Sequence, residues 1–502
     1  MALESNLRFI KKIIKEELSQ FDPPGLAVGI FNKQKLLFGE GYGFSNLENK
    51  SPVNLNSAFM IGSITKLFTV IGFMQLWEKG RVKLDDKVND YLPKGKIITE
   101  KGWPEITFKH LLTHTSGIGE LRRLRDIFKS GFRLITYDEE PVPPLSSLHD
   151  LPAYAASPAG KKWAYSNIGI SLLGYIIEHL TNKTFRDYIV EYILDPLEMK
   201  NSDLIRSERI IPKEASGYEK KKGEFKKATR WNNIIKPSGG MVSTVNDMKK
   251  FGQMCLNKGK LNGVQILKPE TFDLMWKPHY YAHKKIKDRF AMGLVFWLYN
   301  GTKYKVIDHT GGVKGFNATF TLIPEKELGF FTCCNLEQGL YNRITKHLRN
   351  RFIKLFTEMN NSFNPQKKPD KTYWSQIIGY YKGYPGFLTN TRVITEGIEF
   401  KITEKQNQLF FSSLIKKDKF SSYLYPTDDP LVYKIPQKKE EDIYYDAKYI
   451  FHLNKEGKVF ELDRKFEKLQ KVHFLQTLRF KIYGLLGLIT LFIVLIGFSI
   501  IF

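Results

Sequence analysis

Cysteine is scarce in this chain: its 502 residues include only Cys255, Cys333 and Cys334, and two of these are adjacent. Three cysteines cannot build the disulfide framework of a small secreted scaffold. No Cys/His cluster has the spacing of a zinc site, so neither a metal nor another cofactor is expected. The composition, with 42% hydrophobic and 14% aromatic residues, instead provides ample material for packed domains.

Acidic residues are few compared with basic ones, since 52 Asp and Glu stand against 77 Lys and Arg and give a net charge of +25. The lysines are spread in short runs, such as 220–222 and 438–439, and do not collect in one motif-bearing segment. This distribution is typical of solvated faces and comes without a nucleic-acid-binding motif. We therefore expect no nucleic-acid partner; attraction to an anionic membrane or substrate is the alternative.

The N-terminal segment lacks the uninterrupted apolar run and the cleavage site of a signal peptide. Its apolar residues Leu7, Ile10, Ile13, Ile14 and Leu18 recur with a helical period. The pattern predicts an amphipathic helix that packs on the domain behind it.

The C-terminal segment has no charge over the 19 residues Gly484–Phe502. As a helix with a rise of about 1.5 Å per residue, it would reach about 28 Å, close to the thickness of the hydrocarbon layer. The sequence therefore predicts a single-pass membrane anchor over 482–502. Basic residues precede it, at Lys468, Lys471, Arg479 and Lys481, and favour an orientation with the bulk of the chain on the cytoplasmic side.

Between its ends the chain divides into two regions with different sequence patterns. Residues 1–358 combine long helical patterns with strand-like runs, and the clearest of these segments are 26–31, 35–39, 63–79, 167–181, 319–323 and 328–332. They predict an α+β domain, with an antiparallel sheet flanked by helices and a helical subdomain. A polar linker over 359–372 and short alternating segments over 373–475, including a hairpin from Tyr449, predict a small all-β barrel or sandwich.

The segment most informative for chemistry contains Ser63 followed three positions later by Lys66, at the start of a helical pattern. Residues i and i+3 share a helix face, so the amine can reach the hydroxyl. A serine becomes a useful nucleophile when a neighbouring base takes its proton, and free N–H groups at a helix start can stabilise an oxyanion. Alone, this spacing is common by chance.

Two further segments carry polar groups suited to the same reaction. Tyr165 and Asn167 lie two positions apart at a turn that enters a helical pattern, where a phenol could move a proton and an amide could hold a substrate carbonyl. His309, Thr310, Gly311 and Gly312 precede a predicted strand pair, and the glycines would let a substrate approach the backbone closely. Alone, each would be interpreted as an ordinary structural element.

In this order, S-x-x-K, Y-x-N and H-T-G resemble the serine β-lactamase-like, penicillin-binding-protein-like superfamily, of the class C β-lactamase type. Further stretches agree with the resemblance, which covers roughly residues 20–356: His110-Leu-Leu-Thr-His-Thr-Ser-Gly-Ile, Asp195-Pro-Leu-Glu-Met and Pro237-Ser-Gly-Gly-Met-Val-Ser-Thr. The all-β segment resembles the lipocalin-like appendage of some members.

The resemblance implies a β-lactamase-like fold and acyl transfer through a covalent acyl-enzyme, without a metal. Ser63 would be the acylated nucleophile, Lys66 its base or proton relay, and Tyr165 the group that activates the serine or the deacylating water. Asn167 would orient the substrate with the His309–Gly312 segment. The N–H groups of Ser63 and Gly312 would form the oxyanion hole.

The sequence departs from the β-lactamase pattern at His309, where a lysine is usual. Without that permanent cation, recognition of a carboxylate is weaker, and histidine variants resemble the branch that holds esterases and aminopeptidases. We therefore expect a membrane-anchored hydrolase of a small-molecule or peptide amide or ester: a peptidase, an esterase or a β-lactamase relative. The alternative is a membrane-tethered binding or scaffold protein that keeps the fold without catalysis. No G-x-S-x-G or H-E-x-x-H motif supports another hydrolase class.

Overall fold

The computed structural model describes residues 2–119, 135–137, 140–149, 153–281, 290–300, 303–338, 343–357, 367–383, 399–413, 421–435, 448–464 and 467–477. These residues form two compact units, which meet in sequence between 357 and 367. The predicted membrane anchor over 482–502 and most of the predicted linker lie outside the described residues. Among the helices of the described ranges, none is both long and apolar enough to cross a bilayer.

Helices of the first unit have these bounds: α1 Ala2–Phe21, α2 Thr65–Glu78, α3 Phe108–Leu112, α4 Asn167–Thr181, α5 Phe185–Ile189, α6 Lys236–Gly239, α7 Val245–Leu256, α8 Pro269–Met275 and α9 Ile344–Phe356. A 3-10 turn, Gly62–Ile64, leads directly into α2. The pattern predicted at 167–181 is the helix α4. The pattern predicted at 63–79 is the 3-10 turn followed by α2.

Strands of the first unit have these bounds: β1 Gly25–Asn32, β2 Leu36–Asn46, β3 Ser51–Pro52, β4 Phe59–Met60, β5 Ile97–Ile98, β6 Ile135–Tyr137, β7 Ala153–Tyr154, β8 Tyr218–Lys221, β9 Glu224–Lys227, β10 Trp231–Asn233, β11 Val242–Ser243, β12 Lys260–Leu261, β13 Val264–Gln265, β14 Tyr280–Tyr281, β15 Phe290–Met292, β16 Trp297–Tyr299, β17 Val306–Val313, β18 Phe316–Ile323 and β19 Leu328–Cys334. The main sheet has nine strands in the order β14-β15-β16-β17-β18-β19-β1-β2-β3.

The main sheet is antiparallel, as predicted, and both predicted strand pairs are adjacent strands in it. In β1, seven of the eight residues are buried, and every residue of β18 and β19 is buried. Such continuously buried runs are typical of strands covered on both faces. Helices α1 and α9 pack together, α9 lies against β18 and β19, and α7 contacts β1 and β19. The unit therefore has the α+β architecture expected from the sequence.

The helical part of the unit centres on α2, which is buried on almost all sides. It packs against α4 and α6, and these two also contact each other. A helix that is apolar around its whole circumference requires such a surrounding. The helices that begin beside Ser63 and at Asn167 are thus adjacent in space, although about 100 residues separate them.

Strand β17, which carries the His309–Gly312 segment, is fixed to α9 by a buried ion pair. Arg349 Nη1 lies 2.8 Å from Asp308 Oδ2, and both side chains are at most 1% exposed. The Thr321 hydroxyl donates a 2.7 Å hydrogen bond to the other carboxylate oxygen of Asp308. Because these bonds satisfy buried polar groups, they hold the register of β17 against β18 and α9.

The second unit is a closed eight-stranded barrel preceded by the short helix α10, Trp374–Ile377. Its strands are β20 Gly379–Gly383, β21 Glu399–Lys405, β22 Gln408–Ser413, β23 Ser422–Pro426, β24 Val432–Lys434, β25 Lys448–Leu453, β26 Val459–Arg464 and β27 Glu467–Val472. Its core is rich in aromatic residues, among them Trp374, Tyr381, Phe400 and Phe451. The all-β segment is therefore a barrel, closed by pairing of β20 with β27.

Candidate active site

Ser63 lies in the 3-10 turn that precedes α2, and Lys66 lies in the first turn of that helix. The Nζ atom of Lys66 is 3.0 Å from the Oγ atom of Ser63. Lys66 is fully buried, whereas Ser63 is half-buried and open on one side. The local spacing thus places an amine at hydrogen-bond distance from an accessible hydroxyl, which is the geometry that activates a nucleophile.

The position of the Lys66 amine is set by the backbone of α6. Lys66 Nζ donates a short hydrogen bond to the Ser238 carbonyl oxygen. One turn further along α2, the Thr69 hydroxyl donates to the Pro237 carbonyl oxygen at 2.6 Å. These contacts hold α2 against α6 and direct the amine towards Ser63. The stretch that begins at Pro237 carries part of the family resemblance, but nothing in the sequence indicates this contact of Ser238.

Tyr165 and Asn167 lie where the sequence predicts, at the entry to α4. Ser166 caps this helix, because its Oγ accepts a 2.9 Å hydrogen bond from the Gly169 N–H. Tyr165 is 2% exposed, and the Lys66 Nζ atom lies 4.9 Å from the centroid of its ring. Asn167 is the first residue of α4 and is half-buried. Lys66 therefore contacts both Ser63 and Tyr165.

The glycines of β17 bring that strand against the Ser63 turn. β16 pairs with β17 at Val306–Asp308, and beyond this the strand contacts the 3-10 turn. Gly62 has a positive φ of +52°, and a Cβ atom placed on it would lie 2.6 Å from the Gly312 nitrogen. A Cβ on Gly311 would overlap the Ile61 carbonyl oxygen. Glycine is thus required on both sides of the approach.

His309 is fully buried, and its ring centroid lies 5.4 Å from that of Trp297. Its Nδ1 atom is 2.9 Å from the Thr310 carbonyl oxygen. Because a carbonyl can only accept, this geometry assigns the ring proton to Nδ1. The Thr310 side chain is half-buried, on the opposite face of the strand. All four predicted residues of this segment therefore lie on the strand beside the nucleophile.

Arg343, a cation that the sequence did not indicate, lies next to strand β17. Arg343 Nη1 donates a 3.1 Å hydrogen bond to the Gly311 carbonyl oxygen, and its Nε donates to the Gln338 carbonyl oxygen at 3.3 Å. A Cβ on Gly312 would overlap the Arg343 guanidinium group. Arg343 is half-buried, so part of it faces solvent. It adds a permanent charge where His309 replaces the usual lysine.

The cysteine thiols are poor candidates for a second nucleophile. All three are buried and without a disulfide bond. Burial raises the pKa of Cys334 to about 12 and raises the pKa of Cys255 and of Cys333 as well. Since the thiolate is the reactive form, these residues are inert side chains of the core.

Within the described ranges, the group of residues that could ligate a metal lies in the barrel and consists of His452, Glu461 and Asp463. His452 Nε2 is 2.8 Å from Asp463 Oδ2, and both carboxylates are buried. This contact accounts for the histidine as a partner of the Asp463 carboxylate. It belongs to the second unit and supplies no group to the Ser63 site.

The amino-acid sequence of this chain is similar to those of several known proteins. The family model Beta-lactamase matches residues 10–351. Protein flp of Staphylococcus aureus (strain MW2) is 26% identical over 370 residues, which are 68% of this chain and 66% of that protein. The chain thus spans slightly less than two thirds of the length of this relative. The human protein "Serine beta-lactamase-like protein LACTB, mitochondrial" is 25% identical over 403 residues, with 65% and 72% coverage respectively.

Solved structures share the fold. The octameric penicillin-binding protein homologue from Pyrococcus abyssi has a TM-score of 0.60 at 23% identity and covers 93% of this chain and 100% of its own. The class C beta lactamase from Rhodobacter sphaeroides has a TM-score of 0.56 at 19% identity, with 69% and 99% coverage. At these identities the likeness establishes the architecture.

Proposed function

Because this chain belongs to the beta-lactamase family, whose model matches residues 10–351, we propose that it is a serine hydrolase of the class C type. It transfers acyl groups through a covalent intermediate on Ser63. The observation that carries the proposal is the 3.0 Å separation between Lys66 Nζ and Ser63 Oγ, with the lysine fully buried and the serine accessible. A scaffold that had lost catalysis would not need this arrangement.

The proposed reaction has two steps. In the first, Ser63 Oγ bonds to the carbonyl carbon of an ester or amide while its proton passes to the neutral amine of Lys66. The bond to the leaving group then breaks, and the leaving group takes up the proton. In the second, a water molecule attacks the acyl carbon and passes a proton to the neutral amine of Lys66 or to Tyr165 in its phenolate form. The bond between the acyl carbon and Ser63 Oγ breaks, Oγ takes up that proton, and the acid leaves.

The backbone of two elements stabilises the charge that develops in both steps. The N–H of Ser63, next to the start of α2, and the N–H of Gly312, on the strand beside it, are the proposed donors to the oxyanion. Each such donor contributes a factor of about 10²–10³ in rate. Tight contact between Gly62 and Gly312 supports this role, since it leaves the two donors close together.

The Arg343 guanidinium supports a substrate with an anionic group near its scissile bond, such as the terminal carboxylate of a short peptide or a β-lactam. It lies beside Gly311 and Gly312, on the strand where the carbonyl would be held. Arginine matches a carboxylate with two parallel hydrogen bonds. A small-molecule or peptide carboxylate is thus favoured over a neutral ester, which modifies the expectation drawn from His309 alone.

Labelling of the nucleophile tests the proposal. The full chain, purified in detergent, is incubated with a fluorescent penicillin and, separately, with a fluorophosphonate. We expect an adduct on the wild-type protein, none on Ser63→Ala, and wild-type labelling of Ser51→Ala, which removes a serine of similar exposure elsewhere in the unit. A folded wild-type chain that neither probe labels would support the alternative, a binding or scaffold protein.

We further propose that the uncharged segment Gly484–Phe502 anchors the enzyme in a membrane, with the catalytic unit on the cytoplasmic side. The full chain should then stay in the membrane pellet at alkaline pH, whereas a chain that ends before residue 480 should not. Protease digestion of sealed vesicles tests the orientation. Release of the full chain by alkaline carbonate would contradict the anchor.

A further inference from the structure

His114 lies in contact with Tyr165, outside the segments that supply the proposed catalytic groups. The ring centroids of His114 and Tyr165 are 4.3 Å apart and the rings are inclined by 27°, so they are stacked. His114 is fully buried. Lys66 Nζ lies 4.9 Å from the centroid of the same Tyr165 ring. Tyr165 therefore contacts both an imidazole and an amine.

The backbone at His114 is shaped for this contact. Its φ of +55° is in the left-handed region, which residues other than glycine seldom adopt and which Asn, Asp and His tolerate best. In this conformation the His114 carbonyl oxygen accepts a 2.7 Å hydrogen bond from the Ala164 N–H. The Ser166 N–H donates a 3.2 Å hydrogen bond to His114 Nδ1. His114 thus binds the residues on both sides of Tyr165.

These bonds also determine which form of the imidazole is present. A backbone N–H can only donate, so Nδ1 of His114 must be an unprotonated acceptor. The ring is then the neutral tautomer with its proton on Nε2, because an imidazolium would carry a proton on Nδ1 and lose the bond from Ser166. The imidazole that stacks on Tyr165 is therefore uncharged.

We propose that His114 is a positioning residue for Tyr165, held as the Nε2–H tautomer by the Ser166 N–H and stacked on the phenol ring so that its hydroxyl stays in place for proton transfer. This inference rests on the proposed function, because Tyr165 moves a proton only if Ser63 is acylated. Misplacement of a reacting group by about 1 Å costs about a hundredfold in rate. Loss of the stack should accordingly lower the rate of the chemical step and leave substrate binding unchanged.

His114→Asn is the first variant. Asparagine tolerates the left-handed backbone and can accept from the Ser166 N–H through Oδ1, but it has no ring. We expect this variant to fold, to keep its KM, and to lose about 10- to 100-fold in kcat per labelled active site. His114→Ala, which loses both the acceptor and the ring, should lose more in kcat and should also unfold at a lower temperature.

Phe251→Leu is the matched control. Phe251 forms a stacked pair with Phe68, with a centroid distance of 4.2 Å and the same inclination of 27°, in the core between α2 and α7. This variant should lower the melting temperature and keep kcat. Equal kcat for wild type and His114→Asn would overturn the positioning role, and so would a parallel loss of kcat in Phe251→Leu.

The tautomer is measured without any turnover. In imidazole ¹⁵N spectra of the full chain with labelled histidine, the signals that disappear in His114→Asn belong to His114. We expect an unprotonated Nδ1 and a protonated Nε2. A protonated Nδ1 would overturn this inference, whether or not the wild-type protein is acylated. An absence of acylation, by itself, would count only against the proposed function.

Discussion

The Ser238 carbonyl oxygen accepts a hydrogen bond from Lys66 Nζ, the atom that lies 3.0 Å from Ser63 Oγ. A carbonyl oxygen cannot donate, so one N–H of the amine is always directed to α6. A neutral amine has a lone pair, which can accept the proton of Ser63 at this distance. The geometry thus suits a lysine that takes a proton from the serine.

Replacement of Lys66 by alanine should reduce the rate of acylation by about 10²–10⁴-fold, because the proton of Ser63 then has no acceptor. Lys66→Arg should be similarly impaired, since a guanidinium group stays protonated. Stopped-flow labelling with a chromogenic cephalosporin or an activated ester measures the rate. Lys79→Ala, at the other end of α2, is the control. Unchanged acylation in Lys66→Ala would remove the lysine from the mechanism.

Arg343→Ala should raise KM for substrates with a carboxylate by about 10- to 100-fold, the value of a hydrogen-bonded charge, and should leave neutral esters unaffected. The control is Arg351→Ala in α9, the helix that begins directly after Arg343; this variant breaks ion pairs with Glu16 and Glu17 away from the site. Steady-state kinetics on matched acid and methyl-ester substrates measure the difference. An equal effect on both substrates would contradict a charge-recognition role.

Gly311→Ala should reduce kcat/KM by about 10²-fold or more, because the added methyl group overlaps the Ile61 carbonyl and displaces β17 from the Ser63 turn. Gly223→Ala, in the β8–β9 turn, is the control. Its Cβ would meet nothing within 4 Å, although its φ of +89° strains any side chain. This control should cost about 1 kcal/mol of stability and no activity. Wild-type activity of Gly311→Ala would show that the close approach is not needed.

Asp203→Asn should lower the free energy of unfolding by about 2 kcal/mol near pH 7. Burial of Asp203 favours its neutral form, but hydrogen bonds from Arg186 and Ser207 outweigh this and hold the pKa of the carboxyl below its ordinary value. A depressed pKa gives stability that is present above the unfolded-state pKa and is lost as the pH falls through the folded-state value.

The difference between wild type and Asp203→Asn in urea unfolding should therefore shrink below about pH 4. Asp187→Asn is the control, because Asp187 also contacts Arg186 but its side chain is 52% exposed. It should change stability by less than about 1 kcal/mol. A difference for Asp203→Asn that persists in acid would show that charge is not its source.

The parts of the fold and of the site that the sequence could predict are those formed by residues close together in the chain. Ser63 and Lys66 are three residues apart at a helix start, and the strand pairs β1–β2 and β18–β19 are neighbours in the chain, so their geometry follows from spacing. The entry of Tyr165 and Asn167 into α4 is local in the same sense. The role proposed for each residue still depends on the experiments above.

Contacts between distant segments could not be inferred in that way. Arg343 lies against Gly311 and Gly312 only because α9 returns to β17, and no spacing in the sequence signals it. Ser238 contributes a backbone oxygen, which every residue type has. The neighbouring strands β19 and β1 come from opposite ends of the unit, so the sheet order also depends on tertiary packing.

The neighbours of β1 in the sheet are β2 and β19, and some 300 residues of chain lie between the synthesis of β1 and that of β19. During translation, the backbone N–H and C=O groups on one edge of β1 therefore stay unpaired until Leu328–Cys334 leave the ribosome. Over this interval that edge can pair with a strand of another nascent chain.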